Sequence, residues 1–315
     1  MRKAGLSRWV LGVGSLLISL TCLALVMVWL WPDQDTHLVM CDVGQGDAIL
    51  ITQGFTQVLV DAGVNEELIL QCLREHVPFW DREVDWIIPS HYDADHSGGF
   101  VGVLDRFSVK NVLLAQDSKE TTDFERFYAA VLREQAEGAT VHTAQTGYFI
   151  ATDQQWQFSV LYAPAAKIPT DFEAHGGQAE TTLWDINSVK MPVFADSNNR
   201  STVLSFRINQ VSMILTGDME APLEQALLEN NLVTHHTILK VGHHGSKSST
   251  SQIFLDQVAP EVALVSVGTK NRYGHPSTLV LDRLRTAEVH SVLRTDEMGT
   301  VELITDGQRV WRRPW

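Results

Sequence analysis

Ten residues constrain this chain more than any others: Ser-His-Tyr-Asp-Ala-Asp-His-Ser-Gly-Gly at 90–99. An apolar run at 84–88 leads into them and an apolar stretch follows, so the segment reads as the turn between a buried strand and a helix. His91, Asp93, Asp95 and His96 fall within six residues of one another. Imidazole and carboxylate groups at alternate positions of a turn can converge on a cation, and Asp95-His96 can face a second one. Helix capping explains one such carboxylate, but not two His and two Asp at this density. A fold that uses the segment must hold it at the end of a rigid strand, where loops usually carry chemistry.

The rest of the chain past Trp31-Pro32 supplies such strands. Short apolar runs at 37–44, 47–52 and 57–63 are closed by Gly or turn residues, and 67–76 has helical spacing. Strands are expected at 84–91, 111–115 and 157–164, with a helix over 123–136. Residues 165–198 read as a long loop or insertion. A hairpin is expected over 202–208 and 211–218. It is followed by a helix at 220–230, a strand at 237–242, a helix at 250–257, a strand at 262–268, a helix at 277–287 and strands at 290–294 and 300–305. Hairpins early in each half followed by βα units indicate an α/β protein with two sheets between helix layers.

Three further polar clusters follow strand ends. Leu-Thr-Gly-Asp at 215–218 places Asp218 after an apolar strand. Val-Gly-His-His-Gly-Ser-Lys-Ser-Ser at 241–249 offers His243 and His244, then Ser246 and Lys247, ahead of a helix. Asn-Arg-Tyr-Gly-His-Pro-Ser at 271–277 offers His275. Lys240, Lys247, Lys270 and Arg272 lie in or beside the last two and suggest a basic rim. Because the net charge is −14, a broad basic surface of the kind that grips nucleic acid without regard to sequence is not expected; a local rim is. Asp61, ending the run 57–61, is expected to orient a ligand histidine. His142 reads as an ordinary strand residue and His175 as a loop residue. Cys22 lies in the N-terminal apolar run. Cys41 and Cys72 could pair but sit at no metal spacing, and two unpaired, partly buried thiols are expected.

The N-terminus carries no charge from Trp9 to Trp31, about 34 Å of helix at ~1.5 Å per residue. Arg2, Lys3 and Arg8 precede it and Asp33 and Asp35 follow, which predicts a cytoplasmic N-terminus and export of the remainder. A cleaved signal peptide is the rival, but the run is long and no small-residue cleavage site follows Leu20.

Together these motifs resemble the metallo-β-lactamase superfamily, and more finely the extracellular hydrolase domain of the ComEC DNA-internalisation competence proteins. The likeness rests on Asp-Val-Gly-Gln-Gly-Asp at 42–47, the His-x-Asp-x-Asp-His motif, Asn199 and Ser201 before a strand, then the 215–218, HHGS and His-Pro motifs, spanning about 37–305. It implies an αββα four-layer sandwich over 33–315, behind a stub and membrane anchor at 1–32. It implies two divalent ions, zinc or manganese, with His91 and Asp93 on one, Asp95 and His96 on the other, Asp218 bridging, and a histidine of the 243–244 pair, His243 or His244, completing the second site. His275, His244 and Lys247 would serve catalysis, with Asp61, Asn199, Ser201 and Ser246 behind the ligands or against substrate. Asp93 stands where the wider superfamily has a second His, and Asn199 where a further His is usual; the more oxygen-rich site favours harder ions such as manganese. The expected activity is hydrolysis of a phosphate-bearing substrate such as DNA on the outer, periplasmic face of the membrane. The alternatives are a lactone or β-lactam hydrolase, or a metal-stabilised accessory domain. A single span stands where that family has a multi-helix channel, so a separate membrane channel or complex partner is also expected.

Overall fold

The computed structural model describes residues 3–29, 31–151, 156–164, 189 and 191–313. The chain divides into two compact units, residues 1–34 and 35–315. The first consists of helix α1, Lys3–Trp29. Its described side chains run over 12–27, and among the described residues no helix is long and apolar enough to cross a membrane. The span expected at 9–31 therefore rests on the sequence pattern.

The second unit opens with three antiparallel strands, β1 (Thr36–Met40), β2 (Ile49–Gln53) and β3 (Thr56–Val60), then α2 (Glu66–His76) and β4 (Glu83–Ile88). Two short helices follow, α3 (Ala94–Ser97) and α4 (Phe100–Leu104), then β5 (Ser108–Leu114), α5 (Thr122–Glu137) and β6 (Thr140–Thr143). The second half begins with β7 (Phe149–Ala151), β8 (Gln157–Tyr162) and the hairpin β9 (Val203–Ile208) and β10 (Val211–Leu215). It continues with α6 (Ala221–Glu229), β11 (Ile238–Lys240), α7 (Gln252–Val258), β12 (Val262–Val265), α8 (Thr278–Thr286), β13 (Ser291–Arg294) and α9 (Thr295–Met298). Strands β14 (Val301–Thr305) and β15 (Val310–Arg312) return to the first sheet. Among the described residues the two sheets run β15-β14-β1-β2-β3-β4-β5-β6 and β13-β12-β11-β10-β9-β8-β7.

Side-chain alternation along the strands builds four layers. On β1, Val39 joins the cluster that packs α2, α4 and α5 on the outer face, whereas Leu38 and Met40 enter the space between the sheets. Leu50 and Leu59 repeat the outward choice on β2 and β3, and Ile49, Ile51, Val58 and Val60 the inward one. The inter-sheet core meets Phe206 and Met213 from the second sheet. That sheet's outer face, with Ile214 and Leu239, packs Leu223 and Leu227 of α6, Phe254 of α7 and Leu284 of α8. Strands covered on both faces carry continuous apolar runs, which is why 47–52 and 84–88 were legible. The expected αββα sandwich is the observed one. Strands β6, β7 and β15 were not anticipated; each has three or four residues, too few for a pattern. His142 lies on β6. His175 and residues 165–188 and 190 lie outside the described residues, and the end of the expected loop, 191–198, runs into a short 3₁₀ turn, Asn198–Arg200.

The cysteine expectation is corrected. Cys41 and Cys72 form a disulfide with Cα atoms 5.9 Å apart. Cys41 directly follows β1 and Cys72 lies on the buried face of α2, so both belong to the same core cluster. Closing a loop of this length contributes about 3–4 kcal/mol in the chain-entropy account.

One buried histidine away from the strand-end motifs makes stability pH-dependent. His236 Nδ1 donates to Thr234 O at 2.8 Å, and Nε2 accepts from the Ser205 hydroxyl at 2.7 Å. Burial, with smaller contributions from Arg207 and His235, pulls its pKa down to about 4. The unfolded chain therefore binds one more proton between about pH 6.5 and 4, so this contribution is complete above 6.5 and is lost on acidification, at most about 3 kcal/mol. Urea titrations across that window should show a steeper stability loss in the wild type than in His236→Gln, by one proton; parallel curves would contradict the assignment.

Candidate metal centre

The site lies where several strands end on one edge. Asp61 follows β3, His91 to His96 follow β4, Asp218 follows β10, His243 and His244 follow β11, and Ser266 follows β12. Asp61 is the hub of the first half. It accepts the Ser90 amide at 2.6 Å, the Ser90 hydroxyl at 2.7 Å and His96 Nδ1 at 2.8 Å. The Nδ1 of His91 lies 3.0 Å from the same Ser90 hydroxyl and 3.4 Å from that of Ser201. Both imidazoles thereby hold Nδ1 towards protein acceptors, leaving Nε2 as the available acceptor.

In the second half, Gly217 has φ +51, and a Cβ there would lie 2.9 Å from Ser90 Oγ, so the close approach of the two halves requires glycine. Ser201 accepts the Asp218 amide at 3.1 Å. Asp218 Oδ1 lies 3.1 Å from His96 Nε2 and 3.6 Å from His244 Nε2. His243 and His244 both have left-handed backbone, φ +45 and +53, a conformation rare for such residues. It sends the adjacent rings to different partners. His244 Nδ1 donates to Ser266 O at 2.9 Å, and Nε2 lies 3.4 Å from Asp95 Oδ2. His243 Nδ1 instead donates to Glu220 Oε1 at 2.8 Å, its Nε2 standing 3.8 Å from Asp218 Oδ2.

Asp95, His96, Asp218 and His244 thus offer four ligand atoms within 4.8 Å of one another. Of the 243–244 pair, of which one histidine was expected to complete a site, His244 offers an atom to this group. The Nε2 atoms of His91, His96 and His244 and Asp218 Oδ1 are buried with no hydrogen-bond partner among the described residues. Buried polar atoms are seldom left so, and bare imidazole lone pairs facing a carboxylate suit a divalent cation. The electrostatics agree. Burial opposes a charged histidine, yet Asp218 and Asp61 carry the pKa of His96 well up, and Asp218 and Asp47 carry that of His244 to about 10. Burial likewise opposes the Asp218 carboxylate, which His96 and His244 nonetheless hold well below the usual range. The carboxylates call for positive charge at this point.

The other expected residues divide. Asp93 lies 3.8 Å from His91 Nε2 but outside the four-donor group, ion-paired with Lys119. Asn199 is buried, its carbonyl accepting the amides of Glu220 and Leu223 at 3.2 Å each, so it secures the entry to α6. The Ser246 hydroxyl pairs with that of Ser248 at 2.8 Å. Lys247, Lys270 and Arg272 are exposed. His275 is half-buried, its ring 5.7 Å from that of His243 and stacked with the exposed Tyr273. Burial and the neighbouring His243 and His244 lower its pKa. Lys240 is not on the rim: it is fully buried, donates to Gly217 O at 3.1 Å and is ion-paired with Asp47. Asp47 also lies 3.3 Å from His244 Nδ1, and its amide donates to Asp95 O at 3.0 Å. Asp47, Ser90, Glu220 and Lys119 were missed as individual residues. The signal for Asp47 was present in the Gly-Gln-Gly-Asp turn, where a Cβ on Gly46 would collide with Asp95 O at 2.2 Å.

A catalytic-looking cluster at the strand ends of two sheets between helix layers defines a class. The chain belongs to the metallo-beta-lactamase superfamily, whose family model matches residues 41–269. Within it the chain is 28% identical to ComE operon protein 3 of Bacillus subtilis (strain 168), over 89% of this chain and 35% of that protein. It is 27% identical to competence protein ComA of Neisseria gonorrhoeae, over 86% of this chain and 32% of that protein. The ComEC-like character is thus shared by both, and the chain spans about a third of the length of these curated relatives. Among solved structures, the metallo-beta-lactamase fold protein YhfI from Bacillus subtilis matches with a TM-score of 0.50 at 12% identity, covering 89% of this chain and 100% of that one.

The buried Asp47–Lys240 pair yields a prediction. Lys240→Met strips Asp47 of its partner and should cost about 3–5 kcal/mol in urea unfolding, with Asp47→Asn/Lys240→Met recovering part of the loss. A single variant within about 1 kcal/mol of wild type would show the pair to be dispensable.

Proposed function

We propose that this protein is a metal-dependent phosphodiesterase that acts on a phosphate-bearing polymer such as DNA on the outer face of the membrane. The observation that carries the reading is the convergence of bare, buried donors from His96, His244 and Asp218 beside Asp95, a donor set suited to zinc or manganese. These residues would hold one divalent ion, and His91 with Asp93 a second. Ions bound there would supply a low-pKa water and neutralise charge on the entering and leaving oxygens. No serine or cysteine nucleophile is then required.

The remaining roles belong to protein groups. Lys247, Lys270 and Arg272, exposed on the two segments that carry His244 and His275, would draw and orient the phosphate. His275, with its lowered pKa, would enter neutral and hydrogen-bond the leaving oxygen through a ring N–H, keeping its proton. This cationic edge on a chain of net charge −14 favours a phosphodiester over a lactone or β-lactam. Similarity to competence protein ComA and to recombination protein 2 of Haemophilus influenzae favours DNA as the polymer. For location, the disulfide Cys41–Cys72 fits an oxidising compartment. Exposed apolar side chains on α1, Leu16, Ile18 and Leu25 among them, together with Arg2, Lys3 and Arg8 ahead of the uncharged run 9–31, support a single anchor with a cytoplasmic N-terminus. A membrane channel or complex would be the natural partner.

With bis-p-nitrophenyl phosphate and single-stranded DNA as substrates, Asp218→Ala should abolish hydrolysis. His275→Ala should lower it by roughly 10²–10³-fold with metal content retained. Full activity in Asp218→Ala, or turnover of nitrocefin but of no phosphodiester, would defeat this reading.

A further inference from the structure

Outside the four-donor group, His91 Nε2 is a further buried, unpartnered nitrogen, on a side chain with no exposure. Its neighbour Asp93 is not bare. Oδ1 is ion-paired with the ammonium of Lys119, and Oδ2 accepts the Ser197 hydroxyl at 3.3 Å. Lys119 lies in the segment between β5 and α5, and Ser197 just before the 198–200 turn. These two segments are tied together by an ion pair between Asp117 and Arg200 at 2.9 Å. Asp93 is therefore held from two linked segments, by a fixed positive charge and a hydroxyl.

Asn199, where the family resemblance would put a further ligand, has its amide engaged at the start of α6 and by Asp196. The two locations are consequently unequal. One offers two carboxylates and two imidazoles; the other offers one bare imidazole and one carboxylate already neutralised by a lysine.

We propose that Lys119 is a built-in competitor for the second cation. An ion at Asp95, His96, Asp218 and His244 has no lysine or arginine side chain to displace from those four ligands, whereas one at His91 and Asp93 must first displace the ammonium of Lys119. The displaced ammonium, about one-third exposed at 34%, then stands free at the mouth of the site for a phosphate oxygen. Occupancy of the second location and availability of a substrate-binding cation become one event. Lys119 acts here through Asp93 and is a positioning residue for the metal. The inference rests on the metal-centre reading above.

Manganese titrated into the metal-free full chain, followed by calorimetry and by counting bound ions after equilibrium dialysis, tests it. The wild type should bind one ion tightly and a second more weakly. Lys119→Met should tighten the second by about tenfold or more, since a like charge is removed from its ligand, and leave the first unchanged. Lys119→Arg, which keeps the charge, should behave as wild type. Two ions of equal affinity in the wild type, or an unaltered second affinity in Lys119→Met, would overturn the role of Lys119 while sparing the metal centre. Absence of any bound manganese or zinc in the wild type would overturn both.

Discussion

The buried ion pair between Asp47 and Lys240 underlies the rest of the centre. Asp47 comes from the turn before β2 and Lys240 ends β11, so the pair joins the two sheets beneath the ligands. Its cost in desolvation is offset only because each partner has further contacts: Lys240 donates to Gly217 O next to Asp218, and Asp47 faces His244 while its amide holds Asp95 O. Three of the four clustered donors are therefore set in place from this one pair. The fourth, His96, is set by Asp61, whose other oxygen holds the Ser90 amide. A second seam runs alongside, where the Ser266 hydroxyl donates to Gly46 O at 2.6 Å.

This arrangement explains why the centre sits between the sheets' strand ends and not on a single loop. Each half alone presents imidazoles or carboxylates that burial would penalise. Brought together, they create a point where His96 and His244 are drawn towards the charged form and Asp218 is held ionised. A divalent cation satisfies the same demand without protonating the donors, so metal binding and closure of the two halves reinforce each other. The strain of two consecutive left-handed histidines, His243 and His244, is tolerated because Ser266 O and Glu220 fix the two rings from opposite sides.

Much of this was legible in the residues. Apolar runs closed by glycine marked β1 to β3, and further apolar runs marked β4, the β9–β10 hairpin and the later βα units, because strands buried on both faces cannot hide their composition. The segment 90–99 and Asp218 announced themselves by density and by position after strands. What escaped shares a physical cause: it depends on contacts between residues far apart in sequence. Nothing local separates His243 from His244, since a positive φ at each decides where the ring goes. Lys240 reads as surface charge until Asp47, 193 positions earlier by number, is placed beside it. Cys41 and Cys72 meet only when α2 packs on β1. Lys119 belongs to no motif and acquires meaning only through Asp93.

If bare donors from both halves form one cation site, a bound metal must lie between them, and its position can be measured. Anomalous diffraction at the zinc edge, from crystals of the full chain equilibrated with zinc, should place a strong peak about 2.0–2.3 Å from His96 Nε2, His244 Nε2 and an Asp218 carboxylate oxygen. Zinc found only elsewhere, or no peak while those Nε2 atoms are engaged by water or protein groups, would contradict a site shared by the two halves.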